Sequence, residues 1–232
     1  MGFMDELNSG LNYQKALENY ESGNIKGALV DINNVIQSVP DNSEYYNYRA
    51  FLHSKLNNFN DAIEDIKKSL KLNPNQREIY LLLGLAYSEI GDYKSAINNY
   101  DITIEINPKK AEAYYLRGLC LAELSDHPSA VNDYSKALKL HPRLSRISNY
   151  PNLKFDAYYQ RGYSKILLGD KIGALDDFNE CIKINNNYAL PFYQRGLLRI
   201  GLGQQDTGCK DLSIAGELGL KEAYDAINKY CQ

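Results

Sequence analysis

The 232-residue chain has no tryptophan, two methionines and three histidines. It also lacks any run of about 18 apolar residues, the length a membrane-spanning helix needs. Its 26 basic and 29 acidic residues give a formal net charge of −3, with no Lys/Arg block. A basic footprint for nucleic acid is therefore missing, as is a polybasic segment that an anionic membrane surface would attract. None of the four cysteines, Cys120, Cys181, Cys209 and Cys231, belongs to a C-x-x-C pair, and no histidine stands at zinc-ligand spacing from one. They read as reduced, mostly buried thiols acting as small apolar side chains. The opening Met1-Gly2-Phe3-Met4-Asp5-Glu6 lacks the basic and apolar regions of a signal peptide, so the expected compartment is, by default, the cytoplasm.

Catalytic chemistry is equally sparse. His53, His127 and His141 are far apart in the chain, and no Ser or Cys stands in a nucleophile motif. Phosphate-binding glycine loops and H-E-x-x-H are absent. The expectation is a non-enzyme without catalytic, metal or cofactor-binding residues.

What is present is periodicity. Apolar residues make up 44% and charged residues 24%, which is ordinary for a folded chain. Twenty of the residues are tyrosines, whose apolar ring and polar tip suit half-buried positions between helices. Tyr46, Tyr80 and Tyr114 are 34 apart; Tyr158 follows after 44, and Phe192 after 34 more. Four residues after each ring stands Ala50, Gly84, Gly118, Gly162 or Gly196. A second small residue recurs as Ala28, Ala62, Ala96, Ala130, Ala174 and Gly208, and Tyr100, Tyr134 and Phe178 follow four residues later. Pro40, Pro74, Pro108 and Pro142 close four units.

Each unit reads as two helices. Tyr80, Leu83, Gly84 and Tyr87 occupy one helical face. Turns are expected at Gly23-Asn24, Asn57-Asn58, Gly91-Asp92, Ser125-Asp126 and Gly169-Asp170. There Gly or Asn can take the left-handed conformation, and Asp or Asn can cap the next helix.

This pattern resembles the tetratricopeptide repeat family. The units are framed as 9–42, 43–76, 77–110, 111–144, 155–188 and 189–222, a single array over 1–232 with an insertion at 145–154. The resemblance implies an all-α fold, an α-solenoid in a right-handed superhelix of about six helix-turn-helix units. A capping helix is expected at about 220–230, where Ala223, Tyr224, Ile227 and Tyr230 share a face. No unit buries both faces alone, so stacking makes the core.

Two sets of residues stand out. The seventh position of the units carries Lys15, Arg49, Leu83, Arg117, Arg161 and Arg195, and the twenty-third Asp31, Asp65, Asn99, Asp133, Asp177 and Asp211. Base and acid are lost together in the third unit. Arg suits a two-pronged bond to carboxylate, so structural ion pairs are expected at Arg49–Asp65, Arg117–Asp133, Arg161–Asp177 and Arg195–Asp211, with Lys15–Asp31 as a fifth.

The second set is implied by the family's concave groove: Tyr48, Phe51, Leu82, Tyr115, Leu119, Tyr159, Tyr163, Tyr193 and Leu197. These would hold a peptide or helix of a partner polypeptide, or pack against the chain's own helices. The cations of the clamp with which some members hold chaperone carboxylate tails are missing: Tyr13, Leu17, Tyr48, Glu78 and Leu82 stand at its positions in the first three units. The expected role is a binding scaffold; the alternative is a self-associating homo-oligomer that uses an apolar C-terminal surface. The insertion at 145–154 reads either as a binding loop or as a tolerated insertion.

Overall fold

A computed structural model describes residues 3–140 and 152–231. Every helix and strand element among them is an α-helix, thirteen in all, and the architecture is an all-α helical-repeat solenoid. The chain divides into two compact units, Met1–Pro108 and Lys109–Gln232.

The first unit holds three helical hairpins: α1 (Phe3–Glu21) with α2 (Ile25–Ser38), α3 (Ser43–Lys55) with α4 (Phe59–Leu72), and α5 (Ile79–Glu89) with α6 (Tyr93–Ile106). The second holds α7 (Ala111–Glu123) with α8 (His127–Leu140), α9 (Leu153–Leu167) with α10 (Lys171–Ile184), and α11 (Ala189–Gly201) with α12 (Gln205–Glu217). A last helix, α13 (Lys221–Tyr230), packs on α12. Of the insertion at 145–154, residues 145–151 lie outside the described residues, as do His141 and Pro142. Leu153 is fully buried and opens α9.

The turns follow from two residues each. Gly23, Asn57, Gly91, Ser125 and Gly169 have φ between 60° and 82°. The residue after each opens the next helix. The carboxylates of Asp92, Asp126 and Asp170 accept N–H bonds from Ser95, Ser129 and Gly173, and the Asn24 side-chain oxygen accepts one from Gly27. These caps satisfy amides that a helix start leaves without partners.

Within a hairpin, the small residue of the first helix receives the ring of the second. A Cβ on Gly84 would come within 2.6 Å of the Tyr100 ring, and one on Gly118 within 2.8 Å of Tyr134. Tyr100, Tyr134 and Phe178 are fully buried, and rings of this size dominate core energetics. In α2 the buried positions Ala28, Ile32, Val35 and Ile36 form one helical stripe. Full burial of a side chain such as Ile32 stabilises by about 2 kcal/mol.

The cysteine expectation holds for two residues and fails for two. Cys120 and Cys181 are buried free thiols. Burial pushes the Cys181 thiol up to about 12, and its Sγ donates to the Phe155 carbonyl at 3.5 Å. Cys209 and Cys231, by contrast, form a disulfide with Cα atoms 5.8 Å apart. Their spacing of 22 residues gave no motif. The bond arises because α13 folds back on α12 and brings the end of the chain beside Cys209. The Gln205 side-chain amide also donates to the Tyr230 carbonyl.

Candidate functional site

Four arginines hold the hairpins together in the same way. Arg49 donates to Asp65 from Nε at 2.8 Å and Nη2 at 2.6 Å. Arg117 reaches Asp133 at 2.7 Å from both atoms, and Arg195 reaches Asp211 at 2.8 and 2.6 Å. Arg161 contacts Asp177 at 3.0 and 2.5 Å. All four acids are buried. Each guanidinium also lies 5.4–5.7 Å from the ring centroid of Tyr46, Tyr114, Tyr158 or Phe192, three residues earlier. The third prong ties hairpin to hairpin: Arg49 Nη1 donates to Asn33, Arg161 Nη1 to Ser135 and Arg195 Nη1 to Asn179, at 2.7, 2.9 and 2.7 Å. These bases are thus occupied in structure.

The first hairpin departs from the expected pairing. Lys15 is exposed, and Asp31 instead accepts from Asn19 Nδ2 at 2.7 Å. Asn19 stands four residues, one turn, after Lys15. The same step brings His53 within 3.9 Å of Asp65, Lys165 within 2.8 Å of Asp177 and Arg199 within 2.7 Å of Asp211. Sequence reading overlooked this eleventh position. Its signal was visible in the frame as polar Asn19, His53, Lys165 and Arg199, against Leu121.

The nine groove positions divide by unit. In the first, Tyr48 donates its hydroxyl to the Ala16 carbonyl at 3.1 Å and lies 5.6 Å from the Tyr13 ring and 6.2 Å from Phe51. Phe51 in turn meets Tyr20 at 5.0 Å. Burial raises the Tyr48 phenol to about 12. This cluster knits α1 to α3. Leu82 is exposed on α5 and borders a small cleft with Asn47, Phe51 and Ile79.

In the second unit, Tyr115 is buried, 6.1 Å from the Tyr134 ring, and Leu119 is half-buried. Tyr193 packs with Phe192, Ala215 and Ala223. Tyr159 is half-buried against Phe178, and burial raises its phenol. Tyr163, by contrast, is 44% exposed and Leu167 is 53% exposed.

Beside them lies an open, almost wholly apolar cleft of about 220 Å³, lined by Ile166, Leu197, Leu198, Gly201, Gln194 and Lys171. The spacing of Tyr159, Tyr163 and Ile166 puts all three on one face of α9. The second unit therefore brings Tyr159, Tyr163 and Leu197 to one surface, and Tyr115 is not free to join them. Among the described residues no group of three His, Cys, Asp or Glu is placed to hold a metal. No helix there is long and apolar enough to cross a membrane.

Comparison with known proteins agrees with this geometry. The tetratricopeptide repeat family matches residues 43–76, 81–144 and 155–188, together more than half of the chain. No curated protein matches it. Among solved structures, MamA is similar at 27% identity and a TM-score of 0.65, over 74% of this chain and 95% of that one. YrrB, described as a TPR protein with an unusual peptide-binding site, is 19% identical with a TM-score of 0.69, over 85% and 97%. The pilF protein of Pseudomonas aeruginosa is 13% identical with a TM-score of 0.72, over 97% and 98%. With the family models covering more than half of it, the chain belongs to the tetratricopeptide repeat family.

Proposed function

We propose that the chain is a non-catalytic protein-interaction scaffold, which holds an extended or helical segment of a partner polypeptide on the face formed by α9 and α11. The observation that carries this is the pairing of exposed Tyr163 and Leu167 with an apolar cleft. Large exposed apolar surface costs solubility and is kept where something binds. The aromatic cluster of the first unit is consumed by its own packing, so the second unit is the better platform. A peptide-binding site in YrrB, which shares the fold, supports the class of ligand. The disulfide favours an oxidising compartment over the cytoplasm for the folded chain.

Affinity capture from native lysate tests the reading. Wild type is compared with a Tyr163→Ala/Leu167→Ala/Leu197→Ala variant of matched melting. A partner held by wild type alone supports the face; equal capture by both removes it.

A second reading is self-association, favoured by exposed Ile184, Tyr188 and Leu190 where α10 meets α11. Light scattering over a concentration series separates the two: mass that rises with concentration, and stops rising when these three residues are made polar, supports a homo-oligomer.

A further inference from the structure

Continued past the sixth unit, the 34-residue frame puts Ala226 where Tyr46, Tyr80, Tyr114, Tyr158 and Phe192 stand. In the inner hairpins that ring packs on the hairpin before it, as Tyr46 does in the cluster of Ala28, Ile32 and Val35. The helix α13 lacks it, and its buried side chains are two alanines, Ala223 and Ala226. Ala223 packs with Phe192, Ala215 and the half-buried Tyr193. The Tyr224 ring lies over Gly216 but is 53% exposed. Burial stabilises in proportion to apolar area, and an alanine methyl offers far less than a ring. Beyond this packing, α13 is held by the Cys209–Cys231 bond and by the Gln205 amide on the Tyr230 carbonyl.

The connection is equally slight. Leu218, Gly219 and Leu220 join α12 to α13, and Gly219 turns the chain at φ 96°. No proline stands between 205 and 230, so with Gly219 and Leu220 in helical conformation α12 and α13 become one helix. The α13 segment then projects about 15 Å beyond its own hairpin and uncovers the strip of Phe192, Tyr193 and Ala215. The segment that fits this strip is α13, which makes the same contacts whether it comes from its own chain or from another. Short hinges favour such exchange, and reciprocal exchange closes as a two-fold pair. The cysteines lie on either side of the hinge, and both are half-buried rather than enclosed as Cys120 and Cys181 are.

We propose that α13 is an exchangeable cap. A thiol converts the chain into a pair in which the α13 of each copy covers the α11–α12 hairpin of the other. Neither the α9–α11 face nor Ile184, Tyr188 and Leu190 takes part. The exchange is redox-neutral. The thiolate of a small-molecule thiol attacks the Cys231 sulfur and stays on it as a mixed disulfide, while Cys209 leaves as thiolate. That thiolate attacks the mixed disulfide of the second chain and expels the small thiol. Two bonds within chains break, two between chains form, and the thiol is regenerated. In dilute solution the tether keeps α13 at home, because its effective concentration is of order mM.

The test mixes full-length Cys209→Ser and Cys231→Ser chains, each checked for unchanged helical signal. They are held at about 1 mM, the scale set by the tether, with glutathione and its disulfide. Glutathione disulfide accepts the two electrons and leaves as two thiols. The expected product is a heterodimer linked from Cys231 of the first variant to Cys209 of the second, mapped by mass spectrometry under non-reducing conditions. Its α13 amides should be as protected from hydrogen exchange as those of oxidised wild type. Gly219→Ala in both chains should speed the linking about 10-fold, because alanine disfavours the left-handed turn. Monomers alone, a Cys231–Cys231 homodimer alone, a heterodimer with unprotected α13 amides, or linking that Gly219→Ala does not speed overturns the proposal. Should a serine variant lose helical signal, wild type cycled through the same glutathione mixture decides. Bonds between chains support the exchange, and bonds wholly within chains overturn it.

Discussion

Arg195 grips both carboxylate oxygens of Asp211, with Nε–Oδ2 at 2.8 Å and Nη2–Oδ1 at 2.6 Å. The acid is 3% exposed and the base 14%, so the pair sits where an unpaired charge is costly. Arg195→Leu should destabilise the second unit by about 3 kcal/mol, because Asp211 keeps a buried charge with less compensation. Arg199 at 2.7 Å moderates the loss. The double change Arg195→Leu/Asp211→Asn, which copies Leu83 and Asn99 of the third hairpin, should recover much of it. Chemical denaturation of the three proteins checks this. A double variant as unstable as the single one would mean that the pair itself, and not the orphaned acid, carries the energy.

The contact of Gly118 with Tyr134 gives a second prediction. Gly118→Ala puts a methyl group 2.8 Å from a fully buried ring. Overpacking costs about 1–3 kcal/mol and outweighs the usual helical preference for alanine of about 0.5–1 kcal/mol. Gly10→Ala, with nothing within 4 Å, should show that preference alone and stabilise. Thermal melts of both variants should shift in opposite directions.

Ser125 holds φ at 62° between α7 and α8, where four equivalent turns have glycine, at Gly23, Gly91, Gly169 and Gly203. A side chain in that region costs about 1–2 kcal/mol. Ser125→Gly should therefore raise stability by about 1 kcal/mol, whereas Asn57→Gly should gain less, because asparagine tolerates the region. Equal effects at the two sites in denaturant titrations would contradict this account.

The Cys209–Cys231 bond closes a loop of 22 residues, and loss of such a link costs about 3 kcal/mol. Reduction, or Cys231→Ser, should loosen α13 first. Its amides at 221–230 should exchange hydrogen faster while those of α7 and α8 stay protected. Cys120 and Cys181 should remain unreactive to thiol reagents until the chain unfolds, since both are buried and thiolate is the reactive form.

The hairpins were legible in the sequence because their determinants are local. Small residues recur under rings, left-handed turn residues precede caps, and Arg and Asp stand 16 apart in one frame. Contacts made across hairpins were harder to read. The bonds from Arg49 to Asn33 and from Arg195 to Asn179 join residues whose types vary at the equivalent positions. Replacement of Lys15 by Asn19 as the partner of Asp31 is a one-turn shift that a fixed register conceals. The disulfide depends on where α13 folds back, which no cysteine spacing encodes. The candidate face was half legible: helical periodicity brought Tyr159 and Tyr163 together, but whether a ring is spent on packing, as Tyr48 and Tyr115 are, depends on neighbouring helices.

Site-specific photocrosslinking measures the central claim most directly. Benzoylphenylalanine is placed at Tyr163, and in a separate protein at Asp176, an exposed position on α10. Both proteins are irradiated in their native cells. The α9–α11 face predicts a discrete adduct with another polypeptide from position 163 and none from 176. Adducts of equal yield from both positions, or from 176 alone, would contradict it.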